Sequence, residues 1–315
     1  MKLNTATFLP VVCLLCQTGA TTPITLLFDP VDSTRDRTVP LKIYLPEKEG
    51  ASPVILFSHG LGGSRENNPY LGNHWAENGY ACIFMQHPGS DEEVWKSAKF
   101  GQKFQALKDA AGLRQTLDRF ADVPFVLDQL EKWVMEEGHP LQGKLDFSKT
   151  GLCGHIYGAV TTMGLAGQKF PSPKTFHDKR ISAFLTMSPN PIKGLSPEKA
   201  YGHLRVPILC MTGTNDGSPI DPGLQPESRR KVYEAFPNGD KYQLVLDGAY
   251  HHAFGDSQRK LKSARNPNHH PAILKVSTKF WDAYLKGDTG AKEWLQSNDV
   301  PKDSGLGDVD VWEWK

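Results

Sequence analysis

No apolar run in this 315-residue chain reaches the roughly 18 to 20 residues that a membrane span requires. An excess of one charge is missing too. Lys and Arg number 36 against 35 Asp and Glu, a formal net charge of +1, so the overall balance suggests no electrostatic nucleic-acid or membrane partner. Cysteine is scarce: of five, only Cys82, Cys153 and Cys210 lie beyond residue 20. Each sits inside an apolar run that reads as a buried strand. On separate, non-neighbouring strands their thiols stay outside disulfide geometry, so they are expected as free thiols that pack like small hydrophobes. Internal repeats, low-complexity segments and long charge runs are absent as well.

The N-terminus stands apart. Met1-Lys2 precedes an apolar stretch from Phe8 to Cys16, and then Gln17-Thr18-Gly19-Ala20. A short positive start, an apolar segment and a small-x-small ending match a secretory signal peptide. The expectation is a leader over residues 1–20, a mature domain over 21–315, and export to the periplasm or the cell exterior.

Along the mature chain, short apolar runs alternate with helical patterns. Val54 to Ser58 runs into His59-Gly60-Leu61-Gly62-Gly63, and Tyr80 to Met85 ends at Gln86-His87-Pro88-Gly89. Further runs cover Ser182 to Met187, Val206 to Met211 and Tyr242 to Leu246. Continuous β-prone runs separated by helix-length segments indicate a mostly parallel sheet covered on both faces, a doubly wound α/β domain. Thr22 to Leu45 reads as antiparallel edge strands, Asp122 to Glu137 as an amphipathic helix, and Ala272 to Leu285 as a closing helix. The polar stretch from about Ser90 to Arg119 follows a strand end, where a lid or pocket wall would be inserted. Trp95 lies in it, as a packing residue or a pocket wall.

In such sheets chemistry gathers at the C-terminal ends of strands. Gly154-His155-Ile156-Tyr157-Gly158 has the shape of the turn G-x-S-x-G that lifts a nucleophile above a sheet, but its central residue is Ile156. Asp216 follows in Gly213-Thr214-Asn215-Asp216, and His251 in Gly248-Ala249-Tyr250-His251. Turn, acid, histidine is the order this architecture uses. Asp216 alone could serve an Asx turn. The pairs His251–His252 and His269–His270 could be metal ligands, but adjacent histidines point apart and no acidic cluster accompanies them, so neither a metal nor a cofactor is expected.

With Phe57 to Gly63, Gln86 to Asp91 and Gly213 to Ile220 set in order at strand ends, the chain resembles the α/β-hydrolase superfamily. Within it, the likeness is to the branch of platelet-activating-factor acetylhydrolase-like and dienelactone-hydrolase-like esterases. The resemblance implies a small-molecule ester or lipid-like substrate. It implies His251 as general base, oriented by Asp216, and the backbone amides of Leu61 and Tyr157 as an oxyanion hole. His59 and His155 would be structural members of their turns. The departure is Ile156, at the nucleophile position.

Isoleucine carries no atom that can attack an ester carbonyl, and a β-branched residue suits the positive-φ backbone of such a turn poorly. Two expectations follow. Either the chain is an ester-hydrolase scaffold that is inactive or strongly impaired as written, or it is a non-catalytic binding protein that uses the former substrate pocket.

Overall fold

The computed structural model describes residues 22–218, 221, 223–256 and 265–315. The expected leader over residues 1–20 lies outside the described residues. Among the described residues eleven strands form: β1 (Ile24–Phe28), β2 (Val31–Asp32), β3 (Arg37–Thr38), β4 (Leu41–Leu45), β5 (Ser52–Ser58), β6 (Ala81–Met85), β7 (Leu145–His155), β8 (Ile181–Met187), β9 (Ile208–Asn215), β10 (Lys241–Tyr250) and β11 (Val311–Trp314). Nine of them make one sheet in the order β1-β4-β6-β5-β7-β8-β9-β10-β11, while β2 and β3 form a separate hairpin.

Pairings from β6 through β10 are parallel. Antiparallel pairs bring in β4 and β1 at one edge and β11 at the other. The architecture is therefore α/β with a mostly parallel sheet, and the N-terminal segment does form antiparallel edge strands. The second antiparallel edge was not foreseen. Its sequence, Val311-Trp312-Glu313-Trp314, has the β-branched and aromatic content of a strand but is only four residues long.

Among the described residues ten α-helices accompany the strands: α1 (Pro69–Glu77), α2 (Glu93–Lys96), α3 (Lys103–Asp109), α4 (Leu113–Met135), α5 (Tyr157–Leu165), α6 (Pro197–Tyr201), α7 (Pro226–Glu234), α8 (His269–Trp281), α9 (Thr289–Leu295) and α10 (Val300–Asp303). Because successive strand residues face opposite ways, β5 sends Ile55 and Phe57 to one side and Val54 and Leu56 to the other. On the first side they meet Leu71 and Trp75 of α1 and Val276, Phe280 and Trp281 of α8. On the second they meet Val123, Val126 and Leu127 of α4, Met163 of α5 and Val232 of α7. Helices thus cover both faces of the sheet.

Cys82, Cys153 and Cys210 are buried and free. They sit on β6, β7 and β9, each pair of which is separated by another strand. The 90–119 stretch resolves into α2, α3 and the first turns of α4, so the amphipathic helix begins nine residues before Asp122. No helix among the described residues is long and apolar enough to cross a membrane.

Candidate active site

Local sequence builds the elbow. β7 ends at His155, and α5 starts at Tyr157. Ile156 between them holds φ +59° and ψ −106°, a backbone that few β-branched residues adopt. Two glycines permit it by close approach. A Cβ on Gly158 would lie 1.8 Å from the carbonyl oxygen of Ser58, and one on Gly154 would lie 2.1 Å from that of Gly158. The Ile156 amide donates to Met187 O of β8 at 3.0 Å, pinning the turn to the sheet. Held in this way, Ile156 keeps the strained backbone rather than relaxing it.

Asp216 follows β9 directly, and His251 follows β10. The neighbouring parallel strands bring the two side chains together although 35 positions separate them. His251 Nδ1 donates to Asp216 Oδ1 at 2.8 Å, which leaves Nε2 as the ring's acceptor. Thr212 Oγ1 donates to the other carboxylate oxygen, Oδ2, at 2.9 Å. The His155 and His251 rings lie 5.8 Å apart, so the histidine stands beside the elbow. Burial first, and His251 second, push the His155 imidazole down to about 3, so it is neutral at pH 7.

Arg229 of α7, which sequence reasoning missed, completes this cluster. Fully buried, it donates from Nε to Asp216 O at 2.6 Å and from a terminal nitrogen to Ser188 O at 2.7 Å. Its guanidinium also lies 3.3 Å from His251 Nδ1. Nothing in the sequence of α7 marks it, because its partners come from loops far away along the chain.

At the end of β5, the amide of Gly62 donates to Ser90 O and that of Gly63 to Gly60 O. Among the described residues the amides of Leu61 and Tyr157 pair with no backbone carbonyl. Tyr157 occupies the first position of α5, where an amide has no intrahelical partner. A Cβ on Gly60 would lie 3.3 Å from Ile156 Cδ1, so this loop borders the elbow directly.

A Ser–His–Asp chain away from the elbow, also missed, lies beneath the loop. Ser58 Oγ donates to His87 Nε2 at 2.9 Å, and His87 Nδ1 donates to Asp122 Oδ2 at 2.8 Å. All three side chains are fully buried, so this chain reaches no solvent or substrate. Burial pushes His87 down to about 4. Asp122 is raised by burial but lowered more by hydrogen bonds from His87 and Arg37, and the net direction is down. Arg119 then ties this chain to the loop. It donates to His59 O at 2.8 Å and to Ser90 Oγ at 2.8 Å, and it sits 4.4 Å over the Tyr157 ring. His59 fits its turn as a structural residue, with Nδ1 donating to Gly60 O at 2.6 Å and Nε2 accepting from the His87 amide at 3.0 Å.

A cavity of about 730 Å³ opens beside the loop, lined by Leu61, Gly62, Asn67, Trp95, Leu107 and Asp256 among others. Trp95 is both a wall and a brace, since its Nε1 donates to Gly62 O at 2.8 Å. Ile156 and His251 do not line this cavity. Among the described residues no group of three His, Cys, Asp or Glu side chains gathers to hold a metal ion.

No family model matches the chain. Among curated proteins it is similar to the platelet-activating factor acetylhydrolase of Cavia porcellus, at 23% identity over 257 residues. That alignment takes in 69% of this chain and 52% of the relative, so the match spans about half of the relative's length. The likeness is distant, and it supports a relationship to ester hydrolases.

Proposed function

We propose that this chain is a carboxylic-ester hydrolase scaffold of the α/β-hydrolase type, taking a small-molecule ester or lipid-like substrate, in which Ile156 removes the nucleophile. In this reading residues 21–315 form one hydrolase domain, exported after loss of residues 1–20. The observation that carries it is the 2.8 Å hydrogen bond between His251 and Asp216 beside a turn that keeps φ +59° at residue 156.

The chemistry assigns each group a part. A serine hydroxyl at 156 would attack the ester carbonyl while His251 Nε2 takes its proton. Asp216, accepting from Nδ1–H, would hold the ring and stabilise the imidazolium. The Leu61 and Tyr157 amides would receive the oxyanion. The proton would then pass from His251 to the departing alcohol, and water activated by His251 would release the acid. With isoleucine the first bond cannot form. Loss of a triad nucleophile lowers turnover by about 10⁶-fold and leaves only the residual effect of binding and oxyanion stabilisation.

Ile156→Ser tests this. Turnover of a short-chain aryl ester is expected to rise by roughly three orders of magnitude or more, with fluorophosphonate labelling at residue 156. Labelling of the unmodified chain elsewhere would reveal another nucleophile and defeat the reading. A folded but inert Ile156→Ser protein would favour the second reading, a binding protein without turnover. That alternative draws on the formed cavity beside Leu61 and Trp95, which needs no nucleophile to take up a ligand.

A further inference from the structure

The first turns of α4 grip two segments that meet at the elbow. Arg119 reaches the loop after β5, where it donates to His59 O at 2.8 Å. It also donates to Ser90 Oγ at 2.8 Å, and the carbonyl of the same Ser90 accepts from the Gly62 amide at 2.9 Å. These bonds bracket Leu61 on both sides. In the other direction the Arg119 guanidinium lies 4.4 Å over the ring of Tyr157, the first residue of α5. The Tyr157 hydroxyl, in turn, lies 2.8 Å from Thr116 Oγ1 and 3.2 Å from Gly112 O, at the start of the same α4. One buried side chain therefore links the loop that carries the Leu61 amide to the residue that carries the Tyr157 amide.

The charge itself needs a reason. Arg119 is fully buried, and among the described residues its hydrogen bonds to oxygen go to neutral groups only: the Ser58 and Ser90 hydroxyls and the His59 and Ser90 carbonyls. Burial lowers its guanidinium to about 10, which still leaves it protonated at pH 7. A buried cation without a carboxylate on its own nitrogens is costly. That cost has a use where negative charge develops nearby, because a fixed positive group in a dry site stabilises it strongly. The planar fork adds a second property. It holds Ser90 and His59 in fixed directions at once while its face stacks on a ring, which a lysine cannot do.

We propose that Arg119 is the positioning residue of the oxyanion hole, fixing the Leu61 and Tyr157 amides relative to each other and placing a positive charge between the two segments that carry them. It touches neither substrate nor nucleophile and acts through the His59 and Ser90 oxygens and the Tyr157 ring. The inference deepens the hydrolase reading and rests on it. Two donors on separate segments serve one oxygen only when their spacing is held, and a misplacement of about 1 Å costs on the order of a hundredfold in rate.

Kinetics in the Ile156→Ser protein test the catalytic half. Adding Arg119→Met should lower kcat on a short-chain aryl ester by roughly tenfold to a hundredfold, with KM held within about twofold. Arg119→Lys, which keeps the charge and loses the fork, should recover only part of that loss. The matching thionoester is the control, since its sulfur accepts weakly from an amide; Arg119→Met should lower its turnover distinctly less. An unchanged kcat, or an equal fall on both esters, overturns the proposal. Should Arg119→Met not fold, Ser90→Ala removes one acceptor and keeps the charge, and the same split between the two esters is expected, at about threefold or more in kcat. Hydrogen exchange on the chain as it stands, compared with Arg119→Lys, needs no nucleophile. Peptides over 59–63 and 157–162 should exchange roughly tenfold faster, with β6 and β8 unchanged. Faster exchange in one segment alone, or throughout the sheet, overturns the clamp. If Ile156→Ser is inert the hydrolase reading falls, and the exchange comparison alone decides whether Arg119 holds the two segments.

Discussion

At the scale of the residue, the most consequential side chain outside the candidate triad is Asp122. It accepts from His87, from Arg35 at 2.8 Å and from two nitrogens of Arg37 at 2.8 Å each, while fully buried. Asp122→Ala removes the charge on which one buried imidazole and two guanidinium groups depend. Loss of about 3 to 5 kcal/mol is expected by denaturant unfolding, as for breaking a buried ion pair by removing one partner. Ser58→Ala leaves His87 Nε2 without its donor and should cost about 1 to 3 kcal/mol. Equal stability of the Asp122→Ala protein would mean that the network contributes nothing. The sequence shows part of this. His87 stands in a recognisable loop, Gln86-His87-Pro88-Gly89, but Asp122 looks like one more acid on an amphipathic helix. Only the approach of α4 to the loop after β6 reveals the pair, and no spacing rule encodes an approach between residues 35 positions apart.

At the scale of the element, the contact of α5 with β5 fixes the elbow. Gly158→Ala should leave little soluble protein, because its Cβ would lie 1.8 Å from Ser58 O and backbone cannot yield as a flexible side chain can. Ile156→Ser relieves a β-branched residue of positive φ and should leave stability equal or higher in the same assay. A distinctly lower stability would mean that Ile156 makes apolar contacts worth more than the backbone strain of about 1 to 3 kcal/mol. Elements were the most legible level of this chain. Apolar runs located β5, β6, β8, β9 and β10, and the elbow, acid and histidine motifs were read from their positions after such runs. What escaped were short pieces, α2, α3, α6 and β11, whose four to seven residues hold too little periodicity to separate from loop.

At the scale of the whole molecule, buried histidines set the acid limit of the fold. Burial lowers His59 well below its ordinary value, His87 to about 4 and His155 to about 3. A folded-state pKa below the unfolded one means that the unfolded chain binds more protons. Stability is therefore full above about pH 6.5 and falls as pH drops from there toward 4. His87 alone corresponds to a loss on the order of 3 kcal/mol by pH 4. Melting temperatures measured between pH 7.5 and 4.5 should decline steadily, and His87→Gln should flatten that decline from a lower starting point. A flat profile for the unmodified chain would contradict the burial of neutral rings. The net charge of +1 conceals local unevenness, since positions 96 to 114 carry five basic residues against one acidic.

One arrangement bears on how the chain is made. β10, which delivers His251, has β9 on one side and β11 on the other, and β11 is reached only after the whole stretch from Tyr250 to Val311. During vectorial synthesis the flank of β10 therefore waits, with its backbone donors and acceptors open, while α8, α9 and α10 leave the ribosome. An unpaired flank of this sort invites pairing with another nascent chain. The interval between synthesis of β10 and of β11 is when polysome-bound copies are most exposed to one another, and when a holdase would have most to do.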